Sequence, residues 1–541
     1  MVSPSLWDDF PKYRISADNP GHCTPAEVAS RLDQLQAMRP EGMAVEELGR
    51  SVEGHPIAMV TIGRGPRTVL LWSQMHGDES THTHVLLDLL SLLQRSPEHP
   101  HARAILAGCT LRVIPLLNPD GARRQSRHNA QDLDINRDAR KLQTPEGRIL
   151  KGTVERLQPD FAFNLHNQNS RTTVGLDHRE AAVSLLVPAI DAEGTETGSM
   201  RRAKQLASFI CQAVATHCQG MISRYDADFM PRSFGEAIQA SGAATLLIEA
   251  GDWPEGGTIT LEQLHFVGLL SVLKAIAADE LDRADPAVYD RLPRSNEHRR
   301  FDLLIRGATV DNGLGHGTFV ADVGINHDPA MPHRAQIADL GDLGVTTGKW
   351  VIPAEGLVCQ PGRARIDPSV NPLRFPSHTR CRQLLMEGAT SLVGLVDLTD
   401  AAQVECLVGL ESHLKLPIHL GFIGSCGRRA RLDGTIIREH LLRAIAKGLL
   451  GLLSESLRAD LRRYAQWFQV PVLGTLQGTE EEDLAAEILP GRGTIQRGAE
   501  VDLLLLDSAD NLRLAIVGGM VIFDQGELTG LEAGCLLQRG G

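Results

Sequence analysis

The sequence has no apolar run approaching the ~18 residues that a membrane-spanning helix needs. It also lacks positive charge in excess: the formal net charge is -13, with a pI near 5.9. An acidic surface repels phosphate backbones and anionic lipid, so neither nucleic acid nor membrane is an expected partner. The opening stretch, MVSPSLWDDFPKYRIS, has no basic segment leading into an apolar one, so no secretory signal is expected. Cysteines number 9, an odd count without paired short spacings, which argues for buried thiols in a reduced, cytoplasmic protein rather than a disulfide framework. Cys211 and Cys218 fall on one predicted helix and read as packing residues. Aromatic residues make up only 4% of the chain, and there are 4 tyrosines. Internal repeats and low-complexity tracts are absent.

What remains is an ordinary globular composition, 42% hydrophobic and 22% charged over 541 residues. That length implies two to three domains. Thr24-Pro25-Ala26-Glu27 is a capping-box pattern with proline at the first helical position, which predicts a helix over 24–38. MAVEEL, PIAMVTIG and RTVLLWSQ read as strands, followed by the loop HGDES and the apolar-periodic helix THTHVLLDLLSLLQ. The strand candidates TLRVIPLL, FAFNLH and ATLLIEAG alternate with predicted helices near 144–157, 199–217 and 260–280. Such alternation predicts an α/β domain whose strands are buried on both faces. ADPAVYDRLPRSNEHRR, charged and proline-containing without periodicity, reads as a linker at 286–300. It separates a domain at 1–285 from a β-rich one at 301–541.

Candidate chemistry sits at three strand ends in the first domain. Of 20 histidines only His76 has a glutamate three residues later, and roughly one such pair is expected by chance. Its place between a buried strand and a helix is where open α/β sheets carry their sites. A catalytic zinc needs three N/O ligands and an open position. His166 ends the strand FAFNLH and offers the third, although taken singly it reads more readily as a satisfied strand-end histidine. Glu249 ends TLLIE, where a buried carboxylate costs several kcal/mol unless it is paired or functional. A general base and a structural salt bridge are both open readings. His82 and His84 form an HxH at the start of a helix, expected on its solvent side or at its mouth and not as a second metal site.

Beyond these stands a polar, basic segment, LLNPDGARRQSRHNAQDLDINRDAR. HGDE, NPDG, Arg127-His128-Asn129, DINRD, the strand-end His166 and the strand-end Glu249 follow one another in an order that resembles the zinc carboxypeptidases of the A/B type. ELGRSVEGHPIAMVTIG resembles that family's entry strands, and the likeness runs over about residues 40–275. The resemblance implies a mixed-sheet zinc carboxypeptidase fold and one zinc ion per chain, held by His76, Glu79 and His166. It also implies that Arg127 stabilises the oxyanion, that Asn136 and Arg137 hold the substrate's terminal carboxylate, and that Glu249 takes a proton from the attacking water and returns it to the leaving amine. Asp138 departs from the family's asparagine and adds an acid beside the clamp. Tyr225 is the nearest candidate for the family's substrate-contacting tyrosine, with Phe229 and Phe234 as alternatives for that space. Arg232 is a candidate for the leaving-residue pocket, where it would favour an acidic side chain, or else a surface or strand-pairing arginine.

In the second half FDLLIRGATVDNG, ADVGI, IADLGDL, Pro361-Gly362 with Ile366-Asp367, and the tail GRGTIQRGAEVDLLLLD…GELTGLEAG resemble the amidohydrolase superfamily. The metal-binding HxH of that family would fall on Ser369 and Asn371. Only about 135 positions, 360–495, are left for a barrel that takes roughly 250 residues. The expectation is a truncated amidohydrolase-like domain with a β-sandwich part, without metal or chemistry of its own. The whole chain thus reads as a zinc metallocarboxypeptidase acting on a peptide or peptide-like substrate, with a homodimer as a candidate assembly. The rivals are an amidase of the same fold acting on an N-acyl amino acid or modified peptide, and a non-catalytic binding protein.

Overall fold

The computed structural model describes residues 4–16, 22–175, 179–225, 227–254, 258–297, 300–328, 331–366, 370–387, 389–398, 400–410, 416, 418–425, 443–444, 450–453, 472–473, 494–497, 499–518, 520–524, 527–529 and 531. The chain divides into two compact units, Met1–Arg300 and Phe301–Gly541. Among the described residues no helix is long and apolar enough to cross a membrane.

Unit 1 is built on strands β1 (Met43–Arg50), β2 (Pro56–Ile62), β3 (Arg67–Ser73), β4 (Cys109–Ile114), β5 (Phe161–Asn167), β6 (Thr173–Val174), β7 (Val183–Leu186), β8 (Ile222–Arg224), β9 (Ala244–Ala250) and β10 (Ser295–Asn296). Its helices are α1 (Pro4–Tyr13), α2 (Pro25–Met38), α3 (Thr81–Arg95), α4 (Pro100–Gly108), α5 (Pro119–Arg124), α6 (Pro145–Leu157), α7 (Gly198–Val214), α8 (Phe234–Ala240), α9 (Leu261–Ala277) and α10 (Ala287–Asp290). Eight strands form one mixed sheet in the order β1-β2-β4-β3-β5-β9-β7-β8. The central neighbours β4, β3, β5 and β9 are mutually parallel, while β1, β2 and β7 bring antiparallel pairings. The chain leaves β3 for β4 on one side and comes back to β5 on the other. That reversal opens a crevice at the carboxyl ends of β3 and β5.

Alternation along the central strands feeds two cores. Val69, Leu71, Phe161, Phe163, Leu165, Leu246 and Ile248 pack with α3, α7 and α9. Leu70, Trp72, Ala162 and Ile114 pack on the other face with Leu150, Val154 and Phe234. His166 shares the alternation of Ala162, opposite to Phe161, Phe163 and Leu165. The capping box at α2 is formed, with Thr24 and Glu27 bonded reciprocally.

Two expectations need correction here. His82 and His84 are buried, 0% and 2% exposed, because α3 is covered by α1, α2, α4 and α9 and has no solvent face. The stretch 286–300 is no free linker: it forms α10 and β10, Tyr289 is buried with its hydroxyl accepting from Val187 N–H at 3.0 Å, and the unit boundary falls after Arg300.

Unit 2 has a mixed sheet in the spatial order Met331–Gly341, Thr318–Asp328, Arg300–Asp311, Val358–Pro361, Asp502–Leu506, Leu512–Val517, Met520–Asp524, Glu527–Leu528, with Thr347–Pro353 paired to Arg300–Asp311. A second sheet is parallel throughout: Arg363–Ile366, Ala389–Asp397, His419–Ser425, Gly451–Leu453, Val472–Leu473. Helices His378–Met386 and Ala401–Gly409 lie between its first strands in sequence. Ser369, His413 and His440 lie outside the described residues.

Candidate metal centre and active site

Three neighbouring parallel strands supply the centre. His166 on β5 and Glu249 on β9 are direct register partners, so their side chains leave the sheet on the same face. His76 and Glu79 sit in the loop between β3 and α3. The loop can come in because Gly77 meets the turn of α5 backbone to backbone: a Cβ there would lie 2.1 Å from the Gly121 carbonyl carbon. Asn118 ties these segments together. Its Oδ1 accepts from Gly121 N–H at 2.9 Å, and its Nδ2 donates to the His128 carbonyl at 3.2 Å and the Met75 carbonyl at 3.3 Å. NPDG therefore positions the loop that bears Arg127.

His76 Nδ1 lies 2.8 Å from Glu79 Oε1 and 3.1 Å from His166 Nδ1, which is 2.8 Å from Glu79 Oε2. The three residues are buried and their ligand atoms converge. Two imidazole nitrogens and a carboxylate within one triangle of this size are the donor set and spacing of a catalytic zinc site. The residues therefore fit the ion. Asn167 N–H also donates to Glu79 Oε2 at 3.1 Å, orienting the carboxylate.

Sequence reasoning gave no role to Asp134. Its Oδ1 stands 3.2 Å from His76 Nε2, while Oδ2 accepts from Arg127 Nε at 3.2 Å and Nη2 at 3.1 Å. A carboxylate behind a ligand histidine fixes its tautomer and raises its basicity. The signal was available in DINRD, since a histidine ligand calls for such a partner. Arg127 reaches Glu79 Oε1 at 3.3 Å through Nη1 and keeps 43% of its side chain exposed, so it can turn toward a substrate.

Electrostatics follow from this crowding. Burial pushes the His76 ring down, but Glu79 and the Asp134 hydrogen bond outweigh it and hold it up at about 9. Burial favours the neutral form of Glu79, yet His76 and His166 outweigh it and keep the carboxylate well below its usual range. His166 is lowered by burial. Glu249 is raised well above the ordinary carboxylate value by burial and by Glu79. Its Oε2 has no hydrogen-bond partner among the described residues, which is an observation against the salt-bridge reading.

Asn136 and Arg137 lie on a 3-10 turn directly after Asp134. Asn136 Oδ1 accepts from Phe234 N–H at 3.0 Å, and Arg137 Nη1 donates to the Asn136 carbonyl at 2.9 Å. Asp138 turns away from this clamp and accepts from Gln143 N–H, Thr144 N–H and Thr144 Oγ1, so it shapes the entry to α6. Phe234 is fully buried in the core, whereas Phe229 and Tyr225 are both part-buried. Tyr225 faces Glu249 closely enough to feel its charge: burial first, then Glu249 and Glu297, push its phenol up. Arg232 is exposed in a turn, and its carbonyl accepts from Ala139 N–H at 3.0 Å.

The model of the zinc carboxypeptidase family matches residues 28–172. Residues 28–172 are a zinc carboxypeptidase domain. That span includes His76, Glu79, Arg127, Asn136, Arg137 and His166; Tyr225, Arg232 and Glu249 lie beyond it. The zinc carboxypeptidase family uses one zinc ion, in keeping with the fully buried triad of His76, Glu79 and His166. Carboxypeptidase SOL1 of Arabidopsis thaliana is 32% identical over 98 residues, 17% of this chain and 20% of its own length. Carboxypeptidase E of Caenorhabditis elegans is 27% identical over 134 residues, 21% of this chain and 28% of its own length. The chain thus spans less than a third of the length of these curated relatives. Among solved structures, a metallo-carboxypeptidase from Burkholderia cenocepacia is 20% identical, covering 48% of this chain and 70% of its own at a TM-score of 0.39. A metallo-carboxypeptidase from Pseudomonas aeruginosa, also 20% identical, covers 48% and 70% at a TM-score of 0.37.

Proposed function

We propose that unit 1 is a zinc-dependent carboxypeptidase that hydrolyses an amide bond next to a free carboxylate. The observation that carries this reading is the convergence of His76, Glu79 and His166 beside the register-paired Glu249, whose Oε2 has no hydrogen-bond partner among the described residues. Bound zinc supplies Lewis acidity, which polarises the scissile carbonyl and makes water nucleophilic near neutral pH. Glu249 takes the proton from that water and delivers it to the leaving amine; a raised pKa suits a group that must accept and then release a proton. Arg127, already turned toward Glu79, offers its guanidinium to the oxygen that gains charge. Arg137 holds the terminal carboxylate, with Asn136 fixed beside it by Phe234 N–H.

The test is a pair of N-acyl dipeptides that differ only in a free or amidated carboxyl terminus. The free acid should be hydrolysed and the amide should lose nearly all activity. Arg137→Ala should lose roughly 10- to 150-fold in kcat/KM on the free acid, the worth of a charge-assisted bond. Equal turnover of acid and amide would remove the terminal carboxylate from the recognition and turn the reading toward a deacylase.

Unit 2 is proposed to be a truncated amidohydrolase-like domain without chemistry of its own. In support, its first and last strands share one sheet while its middle forms a parallel one, a sandwich-plus-α/β division. His419, its one buried histidine among the described residues, is held by Asp502 Oδ1 at 3.1 Å.

A further inference from the structure

The run 293–297 lies at the rim of the active site of unit 1, with one fastening at its start and another at Arg300. At its start the Pro293 carbonyl accepts from Arg224 N–H at 2.7 Å, and the Arg294 carbonyl accepts from Gly175 N–H at 2.7 Å. β10 then pairs antiparallel with β6, Ser295 against Val174 and Asn296 against Thr173, and Thr173 Oγ1 donates to the Asn296 carbonyl at 3.2 Å. At its end Arg300, only 6% exposed, donates to Glu180 Oε1 at 2.7 Å and to Asp252 Oδ2 at 3.2 Å. A guanidinium that far out of water stays only where carboxylates match it, so Arg300 is a firm anchor. Asp252 follows Glu249 by three residues, which sets that anchor on the loop leaving β9.

Between the two fastenings stands Glu297, exposed to solvent, with its Oε1 accepting from the Tyr225 hydroxyl at 3.4 Å. Its charge reaches the reaction centre, since it is among the groups that hold Glu249 up, after burial and Glu79. Among the described residues Glu297 forms no ion pair. Arg127 acts on Glu249 in the opposite sense, and the clamp proposed for Asn136 and Arg137 adds a second cation to the site. The site is thus cationic where a carboxylate would bind and anionic at its rim.

Resting on the carboxypeptidase reading above, we propose that Glu297 is a specificity-determining residue that selects peptides with a cationic side chain on a residue flanking the scissile bond. The strap delivers the carboxylate from a distant part of the sequence, and Tyr225 lies between it and Glu249. A lysine or arginine side chain entering there meets an exposed, water-accessible acid and gives up little hydration to do so.

The experiment measures kcat/KM of the zinc-loaded full chain on N-acyl dipeptides that carry arginine, or its neutral isostere citrulline, before or after the scissile bond. The wild type should prefer arginine at one of the two positions. Glu297→Gln should shrink that arginine-to-citrulline ratio by ~5- to 50-fold, between the worth of an exposed ion pair and of a charge-assisted hydrogen bond. Glu297→Lys should invert the preference, and added salt should weaken it in the wild type alone. A ratio unchanged in both variants would overturn the proposal, whether all substrates slow together, because Glu297 only positions Tyr225, or none does. A wild type that hydrolyses none of these peptides would instead overturn the carboxypeptidase reading, and this proposal with it.

Discussion

Glu249 stands near the end of a strand in which every residue is buried, and its Oε2 has no hydrogen-bond partner among the described residues. Glutamine at this position keeps the shape and removes the base. Glu249→Gln should leave zinc bound while cutting turnover by ~100-fold or more, the loss typical of a positioned general base. Turnover near that of the wild type, with zinc present, would reject Glu249 as the base. His166 and Glu249 stood out in the sequence because each ends a mostly apolar strand, where a polar group needs a reason. Asp134 and Glu297 did not, because their partners lie 58 and 72 residues away and only the folded loops bring them together. Asp138 was misjudged for a related reason: its neighbours in sequence suggested the clamp, whereas its side chain turns to Thr144.

At the scale of elements, strands and helices of unit 1 were legible wherever one period ran long enough, as in the helices found at Pro145–Leu157, Gly198–Val214 and Leu261–Ala277. Helix α3 was legible as a helix but not as a fully enclosed one. Its polar residues His82, His84 and Asp88 mimic a solvent face and are buried all the same. Asp88 shows what this costs. Burial lifts its carboxyl to about 6 from an ordinary 3.8, against the pull of Ile15 N–H at 2.7 Å and Ser16 N–H at 3.0 Å. The folded chain therefore holds that proton more tightly than the unfolded one. The stabilisation from this group is full below pH 3.8 and is lost as pH rises through 6, a change of about 3 kcal/mol. Asp88→Asn removes the titration while keeping an acceptor for the N-terminal segment. Urea unfolding should show the variant gaining on the wild type between pH 4 and pH 6.5, and parallel stability profiles would contradict the assignment.

For the whole molecule, the chain divides into two compact units after Arg300. The stretch before it was misread because charge and proline without periodicity also describe a strap held by backbone bonds and one buried arginine. The thiols read as packing residues are buried: burial pushes both Cys211 and Cys218 up to about 12. The central claim is that one zinc, held by His76, Glu79 and His166, drives hydrolysis by the full chain. It is tested most directly by titrating metal-stripped protein with zinc while following hydrolysis of an N-acyl dipeptide. Activity should rise in proportion to bound zinc and level off at one equivalent, and His166→Ala should neither hold the ion tightly nor hydrolyse the peptide. Hydrolysis by the stripped protein or by His166→Ala, or a second tightly held equivalent, would contradict the account.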